Sequence, residues 1–404
     1  MKPARLIVVG TLAANPYAGM AWMTMQITAG LRRLGHDVYY FETSSDWPYD
    51  PDRNSKVCDS EFAVPYLSRV AGGFGLDGRW AYRRSYLDRA WLGMDANRAE
   101  SLLAEADAVF NVTGATQFAE DGLKVGRLVY LGTDPVWHEV TLAEGAGITA
   151  SIVAEHDDVV TYGENIGTPA SPIPPLPKLR AHMRQPVLMD MWDGRPPTRS
   201  EFTTIGNWEQ EGRDVVFKGE TYFWSKHREF QKFLDVPARS GQVVELATNL
   251  AAPDSFNYGD GAEVRTQGMS VATQTQLHDN GWALLESRHF TRDPWQYRDY
   301  VCGSRAEFTV ARDLNVRLRS GWFSERSACY LAAGRPVVTQ NTGFGTVLPT
   351  GEGLFAFDTT EEAVEAINEI NGDYPRHAKA AKAIAEEYFR AETVLSKMLG
   401  ALNL

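Results

Sequence analysis

Residues 320–357 read SGWFSERSACYLAAGRPVVTQNTGFGTVLPTGEGLFAF, and the order of elements that they predict decides the fold class. Within them, 324–334 begin with serine, mix apolar residues with one Glu and one Arg, and end on glycine, which predicts a short helix with a serine N-cap and a glycine stop. The apolar run at 336–339 is typical of a strand buried in a parallel sheet. A glycine-rich turn at 341–345 and a second apolar run within 351–357 follow. The stretch therefore predicts helix, strand, glycine-rich loop and strand, in that order.

Two points in this stretch present clustered backbone N–H groups: the start of the helix near Ser324 and the loop at Gly343–Thr346. Unpaired donors and the positive end of the helix dipole attract anions there, phosphate above all. An ordinary βα unit with tight turns would contain the same glycines, so the pattern by itself leaves both interpretations open.

The stretch resembles the donor-nucleotide segment of the GT-B glycosyltransferases, in which a Gly-x-Pro-Val-Val strand precedes a glycine-containing phosphate loop. Gly334–Val338 (GRPVV) and Thr342–Gly345 (TGFG) match these two features. The stretch is more similar still to the bacterial family-1 and spore-coat-type glycosyltransferase-like proteins, whose helix carries an Arg three residues before a Glu. Arg326 matches that Arg, whereas the Glu, which usually holds the donor ribose, falls on Cys329. Either Glu325 takes over the ribose contact or the sugar nucleotide is held differently.

The resemblance implies that a nucleotide-diphosphate sugar binds to the second half of the chain as a co-substrate, with no separate cofactor. Lys226, at the start of a helix predicted from Ser225 onward, matches the cation that neutralises the donor diphosphate; Lys218 is the second choice, and a solvated lysine is the alternative. Weaker candidates for binding the base of the nucleotide are Glu286, Ser287 and Arg305. The implied donor-binding residues are Asn207, Lys226, Ser324, Glu325, Arg326, Thr342, Gly343, Phe344, Gly345 and Thr346.

Length and composition describe a globular protein of two domains. The chain has 404 residues, with about 100–200 residues usual per domain. It is 44% hydrophobic and 23% charged, without a low-complexity tract. No apolar run is long enough for a membrane span, and residues 1–10 form a strand pattern rather than a signal peptide, so we expect a cytoplasmic protein. Cys58, Cys302 and Cys329 are widely spaced and suit a reducing compartment.

The formal net charge of −12 argues mildly against a polyanionic partner such as nucleic acid, although a local basic groove would still permit one. The resemblance implies that the partners are a nucleotide sugar and a small-molecule or glycan acceptor. The sequence leaves the oligomeric state open.

The N-terminal half alternates strands and helices. Residues 5–10 predict a buried strand, 20–34 a helix and 38–41 a second strand. This β-loop-α-β start opens a doubly wound sheet, and it resembles the first unit of GT-B N-terminal domains. The pattern Gly-x-Gly-x-x-Gly is absent after the first strand, which argues against a dinucleotide oxidoreductase and against Glu42 as a ribose ligand.

Residues 47–98 are aromatic, polar and irregular, which predicts an inserted loop-and-helix region over the edge of the sheet. The insertion is either a wall of the acceptor pocket or a solvated cap with amphipathic packing. The composition favours the cap for the individual residues.

Further strands are predicted at 108–112, 128–131 and 159–162. Because ligands of open α/β sheets bind beyond the carboxyl ends of the strands, the polar residues there should line one crevice. We assign the acceptor site to Thr11, Gly19, Thr113 and Asn165.

Asp134 and His138 are the candidates for the general base, because removing a proton from an acceptor hydroxyl needs a group of adjustable pKa at that rim. Asp134 precedes Pro135, so a turn or helix-cap role is the alternative. His138 could instead be a helix-surface histidine. His156 precedes a strand, at the end away from the chemistry, and is expected to be structural.

Residues 168–177 (TPASPIPPLP) contain five prolines and predict a stiff extended connector. The alternation of strands and helices predicts an α/β fold class, and the resemblance implies two Rossmann-like doubly wound domains that face each other across a cleft. The resemblance adds a C-terminal helix that returns to the N-terminal domain. The predicted segments are 1–180 (acceptor domain), 181–200 (linker), 201–388 (nucleotide-sugar domain) and 389–404 (C-terminal helix).

Asp50-Pro51-Asp52 and Asp157-Asp158 are not placed at a strand end suited to a diphosphate-bound cation, and no His/Cys/carboxylate cluster has metal-ligand spacing, so we expect a transfer without a metal ion. The resemblance implies a glycosyltransferase that moves a sugar from a nucleotide-diphosphate sugar to an acceptor hydroxyl. The alternatives are a tailoring enzyme for a natural product or a modified DNA base, and a non-catalytic protein that binds nucleotide sugars. The sequence leaves open the sugar, the base, the acceptor and the stereochemical outcome.

Overall fold

Two sheets organise the chain, one in each half. The computed structural model describes residues 3–43, 46–145, 147–192, 194–250, 254–257 and 263–404. The strands of the first half are β1 (Arg5–Val9), β2 (Asp37–Thr43), β3 (Tyr49–Asp50), β4 (Ser55–Lys56), β5 (Trp80–Arg83), β6 (Trp91–Leu92), β7 (Ala108–Val112), β8 (Leu128–Gly132), β9 (Asp158–Thr161) and β10 (Leu179–His182). The helices of the first half are α1 (Ala18–Arg33), α2 (Ala63–Gly73), α3 (Ala96–Glu105), α4 (Phe118–Asp121), α5 (Trp137–Ala143) and α6 (Gly147–Glu155).

The first sheet has eight strands in the order β10-β9-β8-β7-β1-β2-β5-β6, while β3 and β4 form a separate hairpin. All its pairings are parallel except that of β5 with β6. Leu6, Val8 and Phe110 of the central strands are fully buried, because helices cover both faces of such a sheet. This explains why the central strands are continuous apolar runs in the sequence.

The second half contains a six-stranded parallel sheet and two small antiparallel sheets. Its strands are β11 (Phe202–Ile205), β12 (Glu209–Glu211), β13 (Val215–Phe217), β14 (Glu220–Tyr222), β15 (Val244–Thr248), β16 (Asp254–Asn257), β17 (Glu263–Gln267), β18 (Trp282–Glu286), β19 (Ala306–Thr309), β20 (Val337–Gln340) and β21 (Leu354–Phe357). Its helices are α7 (His227–Lys232), α8 (Val236–Ser240), α9 (Val271–Asp279), α10 (Arg288–Thr291), α11 (Pro294–Gly303), α12 (Asp313–Arg317), α13 (Glu325–Ala332), α14 (Thr360–Gly372), α15 (Tyr374–Tyr388) and α16 (Ala391–Leu402). Short 3₁₀ turns lie at Met189–Met191 and Phe344–Thr346. The main sheet has the order β18-β15-β11-β19-β20-β21.

The insertion at 47–98 is more regular than its composition predicts. It contains the helix α2, which buries one face through Tyr66, Leu67 and Val70, and β5 and β6 extend the first sheet at its edge. Trp80 and Tyr82 of β5 are buried because β5 pairs with β2, a contact that local sequence does not reveal. The cap of α7 also differs from the prediction: Ser225 accepts a hydrogen bond from the backbone of Gln210 at 2.9 Å and caps no helix, while Lys226 occupies the N-cap position.

The C-terminal helix α16 packs on the first domain, against α1 and β10. Gly30 of α1 makes this close approach feasible, because a Cβ at that position would lie 2.5 Å from a methyl group of Leu395. The Arg127 guanidinium also donates to the Leu402 carbonyl at 2.6 Å. The predicted fold class, two Rossmann-like domains with a returning C-terminal helix, is thereby confirmed. None of the helices in the described ranges is both long and apolar enough to cross a bilayer.

Candidate functional site

A cleft of about 350 Å³ lies between the domains, at the carboxyl ends of both sheets. The strand order of the first sheet changes direction between β1 and β7, and that of the second between β11 and β19. Such switch points open a crevice, because the connections on their two sides lead to opposite faces of the sheet. The residues that follow these four strands and line the cleft are Thr11, Thr113, Asn207 and Arg312.

The cleft brings together most of the residues that the sequence singled out for acceptor binding, catalysis and donor binding. They come from both domains and from positions up to about three hundred residues apart. These lining residues are Thr11, Gly19, Thr113, Asp134, Asn207, Lys226, Ser324, Glu325 and Arg326.

Glu42 shapes the loop that joins β1 to α1. Its carboxylate accepts hydrogen bonds from the backbone N–H groups of Ala13 and Ala14, both at 2.7 Å, and from the Tyr40 hydroxyl at 2.8 Å. The side chain is fully buried, and this burial raises its pKa to about 7. Glu42 therefore holds the loop that carries Thr11 in place, and it does not reach into the cleft as a ligand.

Lys226 lines the cleft from the second domain. Burial, together with the neighbouring guanidinium groups of Arg326 and Arg312, lowers its pKa well below the ordinary lysine value. The two carboxylates that oppose this effect, Glu307 and Asp134, are each ion-paired with an arginine instead. An anion in the cleft would relieve the repulsion between these cations.

Arg312 is a cleft residue that the sequence reasoning missed. Its guanidinium lies 3.6 Å from the centre of the Trp224 ring and donates to Asp134, with 2.5 Å between Nη1 and Oδ1. Arg312 is 9% exposed, and its buried Nε has no hydrogen-bond partner within the described residues. The side chain therefore keeps donor capacity for an anion. The feature of the sequence that would have identified Arg312 is its position shortly after the strand at Ala306–Thr309 in the second sheet.

Arg326 is held on three sides by the second domain. Its Nε donates to Glu307 at 2.6 Å, Nη2 donates to the Thr309 hydroxyl at 2.9 Å, and Nη1 donates to the Ile205 carbonyl. Burial opposes the charge, but the fully buried Glu307 more than compensates and keeps the pKa of Arg326 above the ordinary value. Arg326 therefore contributes a fixed positive charge to the cleft wall, while most of its donors are already used.

Glu325 offers a carboxylate to the cleft from the first turn of α13. It accepts hydrogen bonds from the Gln26 amide at 2.8 Å and from the Cys329 thiol at 3.1 Å. Burial raises its pKa to about 7. Cys329 is fully buried behind Glu325 and does not line the cleft. Of Glu325 and Cys329, only Glu325 lines the cleft, and its role as the ribose contact stays a prediction.

The glycine-rich loop at Thr342–Thr346 lies outside the cleft lining, contrary to the position expected for a phosphate loop. The side-chain nitrogen of Asn165, from the first domain, donates to the carbonyls of Gly343 and Arg319 at 3.0 and 3.1 Å. The Thr346 hydroxyl donates to the side-chain oxygen of Asn165 at 2.8 Å. Asn165 is 2% exposed, so it joins the two domains and has no surface left for an acceptor. The geometry assigns this loop to the domain interface.

The remaining residues of that loop are also committed to internal contacts. The Thr342 hydroxyl donates to the Trp322 carbonyl at 2.5 Å, and Phe344 packs edge-on against Phe323. Gly345 is exposed on the surface, away from the cleft.

His138 lies in α5 but does not line the cleft. It is 3% exposed, and its ring packs edge-on against the rings of Tyr130 and Trp137. A ring that is buried and lies outside the cleft lining does not face a bound acceptor, so it cannot take a proton from the acceptor directly. The prediction of His138 as a general base is therefore replaced by a packing role, and Asp134 is the catalytic candidate that reaches the cleft.

Of the weaker candidates for donor binding, one lines the cleft and the others do not. Ser287 lines the cleft, whereas Glu286 accepts a hydrogen bond from the backbone of Leu250 at 3.0 Å. Arg305 stacks on Tyr374, and Lys218 is exposed at the turn between β13 and β14. Lining residues that the sequence reasoning did not identify include Tyr17, Met20, Met23, Gln210, Asn249, Arg288 and Tyr297.

No group of three or more His, Cys, Asp or Glu side chains in the described part of the chain is arranged to hold a metal ion. The prediction of transfer without a metal ion stays a prediction.

The sequence matches no model of a protein family and no curated protein. Solved structures nevertheless resemble the whole chain. HepE of Anabaena, solved with UDP and glucose, has a TM-score of 0.54 at 10% identity, covering 99% of both chains. An alpha-glucosyltransferase solved with UDP and a 13-mer DNA containing an HMU base has a TM-score of 0.57 at 10% identity, covering 100% of both chains.

A third similar structure is AviGT4, a glycosyltransferase involved in avilamycin A biosynthesis, with a TM-score of 0.51 at 12% identity over 98% of this chain and 96% of AviGT4. At such low identity the likeness establishes the fold and leaves the activity to the chemistry of the cleft. The chain has the two-domain GT-B fold of glycosyltransferases.

Proposed function

We propose that the chain is a glycosyltransferase that moves a sugar from a nucleotide-diphosphate sugar to an acceptor hydroxyl. The observation that carries the proposal is the cluster of Lys226, Arg312 and Arg326 around the switch point of the second sheet, opposite Asp134. Cations gathered in one cleft repel each other until an anion lies between them, and a diphosphate supplies two adjacent anionic groups. UDP or UDP-glucose is bound in proteins of the same fold, which supports this class of ligand.

The proposed transfer forms a bond between the acceptor oxygen and the anomeric carbon of the donor. It breaks the bond between that carbon and the diphosphate, and the nucleoside diphosphate leaves with the bonding electrons. Lys226 and Arg312 stabilise the negative charge that develops on this leaving group. The acceptor proton passes to the carboxylate of Asp134 and then to solvent.

Arg312 links the two ends of this reaction, because it pairs with Asp134 and faces the proposed diphosphate site. A bound diphosphate competes with Asp134 for the guanidinium. When Arg312 turns toward the diphosphate, the carboxylate of Asp134 is released from its ion pair and is able to accept a hydrogen bond from the acceptor hydroxyl. Donor binding thereby prepares the acceptor side for proton removal.

We assign the donor ribose to Glu325. A carboxylate is a suitable acceptor for ribose hydroxyl groups, and Glu325 reaches the cleft from the helix whose family Glu is replaced by buried Cys329. The bonds from Gln26 and Cys329 orient the carboxylate, and two lone-pair directions remain for hydroxyl donors.

Transfer without a metal ion and a cytoplasmic location belong to the same proposal. Lys226, Arg312 and Arg326 bring positive charge that would neutralise a diphosphate, which supports a transfer that needs no divalent ion. The thiols of Cys58, Cys302 and Cys329 are free, which supports a reducing compartment.

The test is a thermal-shift screen of the full chain with UDP, GDP, dTDP, ADP and their glucose conjugates, each with Mg²⁺ and with EDTA. A ligand that binds only the folded state adds about 2.7 kcal/mol of stability at a hundred times its Kd. We expect one nucleoside diphosphate to raise the melting temperature equally in Mg²⁺ and in EDTA. Equal melting temperatures with every nucleotide would contradict the proposal, and a shift only with Mg²⁺ would contradict the metal-independent mechanism.

Nucleotide binding is expected to take up protons. The pKa of Lys226 is lowered in the free protein, and a bound diphosphate raises it, so affinity falls as the pH rises through this interval. The same anion raises the pKa of Glu325 from its value of about 7, which adds uptake near neutral pH. Calorimetry in buffers of different ionisation enthalpy measures the uptake. Lys226→Met should abolish the uptake that comes from the lysine, and Glu325→Gln should abolish the uptake near pH 7. Binding without proton uptake would refute the electrostatic argument.

A further inference from the structure

The two walls of the cleft differ in charge. The second domain contributes one carboxylate, Glu325, and four cations, Lys226, Arg288, Arg312 and Arg326. Within the described residues, Asp134 is the only charged side chain that the first domain contributes to the lining. Because the cations locate the diphosphate on the second domain, the first-domain wall is the surface left for the acceptor.

The part of the first-domain wall that α1 supplies is apolar. Met20 and Met23 are three residues apart on α1, so they lie on one face of the helix, and both line the cleft. The opposite face of α1, with Trp22 and Met25, is fully buried. Tyr17, at the N-cap of α1, completes the wall. Methionine thioethers are flexible and polarisable, and they pack well against flat aromatic ligands.

This wall is held in place before any ligand binds. The Tyr17 ring stacks on Tyr49 of the β3–β4 hairpin, with 6.0 Å between ring centres and 20° between planes. The Tyr49 backbone N–H donates to the Ala14 carbonyl at 2.9 Å, and Ala14 is itself bound by the buried Glu42. A preformed apolar wall loses little conformational entropy when a rigid ligand binds.

The insertion beside this wall offers little attraction to a polyanion. Three of its cations are paired with carboxylates, which reduces the positive charge that binding of a nucleic acid requires. The ion pairs are Arg53 with Asp59 and Glu61, Lys56 with Asp46, and Arg69 with Asp293.

From these contacts we infer that the acceptor is a neutral, largely apolar small molecule whose hydroxyl group is carried by an aromatic ring. The inference rests on the proposed function and specifies the substrate class of the same site. The aromatic ring lies against Met20, Met23 and Tyr17, and its hydroxyl points to Asp134. The phenolic oxygen then bonds to the anomeric carbon as the nucleoside diphosphate leaves, and the phenolic proton goes to Asp134.

The experiment offers the full chain its best-binding nucleotide as the glucose conjugate, with three acceptors in parallel. These are 4-methylumbelliferone as a neutral phenol, free maltose as a glycan, and an oligonucleotide that contains a hydroxymethylated pyrimidine. Release of nucleoside diphosphate and the product mass are measured for each. We expect a glucosylated product with the phenol, at a kcat/KM at least tenfold above the other two. Transfer only to maltose or to the oligonucleotide overturns the inference.

Failure of the acceptor class is distinguishable from failure of the proposed function. If no nucleotide binds in the thermal-shift screen, the proposed function fails and the acceptor class fails with it. If a nucleotide binds but no phenol is glucosylated, the acceptor class alone is overturned and the donor site stands.

A double variant and a matched control test the role of the first-domain wall in acceptor binding. Met20→Gln combined with Met23→Gln should lower kcat/KM for the phenol about tenfold or more, because apolar contact to the ring is lost. The Kd of the nucleoside diphosphate should not change. The matched control is Val271→Gln, an exposed apolar residue on α9, 79% exposed, that does not line the cleft. An unchanged kcat/KM in the methionine variant, with its fold verified by the retained nucleotide affinity, would overturn the assignment.

Discussion

Replacing Lys226 with methionine is expected to lower the rate of sugar transfer by about 100- to 1000-fold. Loss of one preorganised positive group that faces developing charge has an effect of this size. The effect should fall mainly on kcat, since Arg312 and Arg326 still attract the diphosphate in the ground state. Steady-state kinetics, combined with calorimetric binding of the nucleoside diphosphate, separates the two contributions.

The same variant should not lose stability, and this distinguishes a catalytic from a structural lysine. Burial and two neighbouring guanidinium groups disfavour the charged form of Lys226, so removal of the charge relieves repulsion. Lys218→Met is the matched control, because Lys218 is exposed on the β13–β14 turn and should keep full activity. A transfer rate for Lys226→Met that stays within threefold of the unmodified protein would remove Lys226 from the mechanism.

Replacing Arg326 with methionine is expected to destabilise the second domain by about 3–5 kcal/mol. The variant leaves Glu307 as an uncompensated charge in a fully buried position, and removal of one partner of a buried pair has a cost of this order. The carbonyl of Ile205 and the hydroxyl of Thr309 would also lose a donor. Urea unfolding, followed by tryptophan fluorescence, measures the change in free energy.

The double variant Arg326→Met with Glu307→Leu shows whether the lost stability comes from the unpaired charge. It should recover most of the free energy of unfolding, because neither charge remains buried, but it should not recover transfer activity. Arg376→Met is the matched control: Arg376 and Glu369 form an exposed pair, for which about 0–1 kcal/mol is expected. A loss below 1 kcal/mol for Arg326→Met would mean that the pair is not structural.

The sequence predicts the regular elements well where their signals are local. The strands at Ala108–Val112 and Leu128–Gly132 and the helix at Glu325–Ala332 lie where the apolar runs, serine and glycine place them. Strand β5 was missed because Trp80–Arg83 lies in an irregular aromatic segment, and pairing with β2 is what buries it. Local periodicity cannot reveal a strand that exists through a distant partner.

The candidate site shows the same division between local and distant information. Asp134, Lys226 and Arg326 follow strands or begin helices, so the rule for open sheets predicts their shared position. Arg312 carries no motif, and its importance comes from Asp134, which is 178 residues away in the chain. The loop at Thr342–Thr346 has the glycines of a phosphate loop but contacts Asn165 of the other domain instead.

The amino-acid sequence by itself determined the two Rossmann-like halves and the general location of the cleft, because apolar periodicity and turn residues act over a few positions. Only the tertiary structure decided which polar groups face each other across that cleft. The relative placement of the domains pairs Arg312 with Asp134, and packing against Tyr130 and Trp137 buries His138. Such contacts depend on packing between residues far apart in the chain, and no local pattern encodes them.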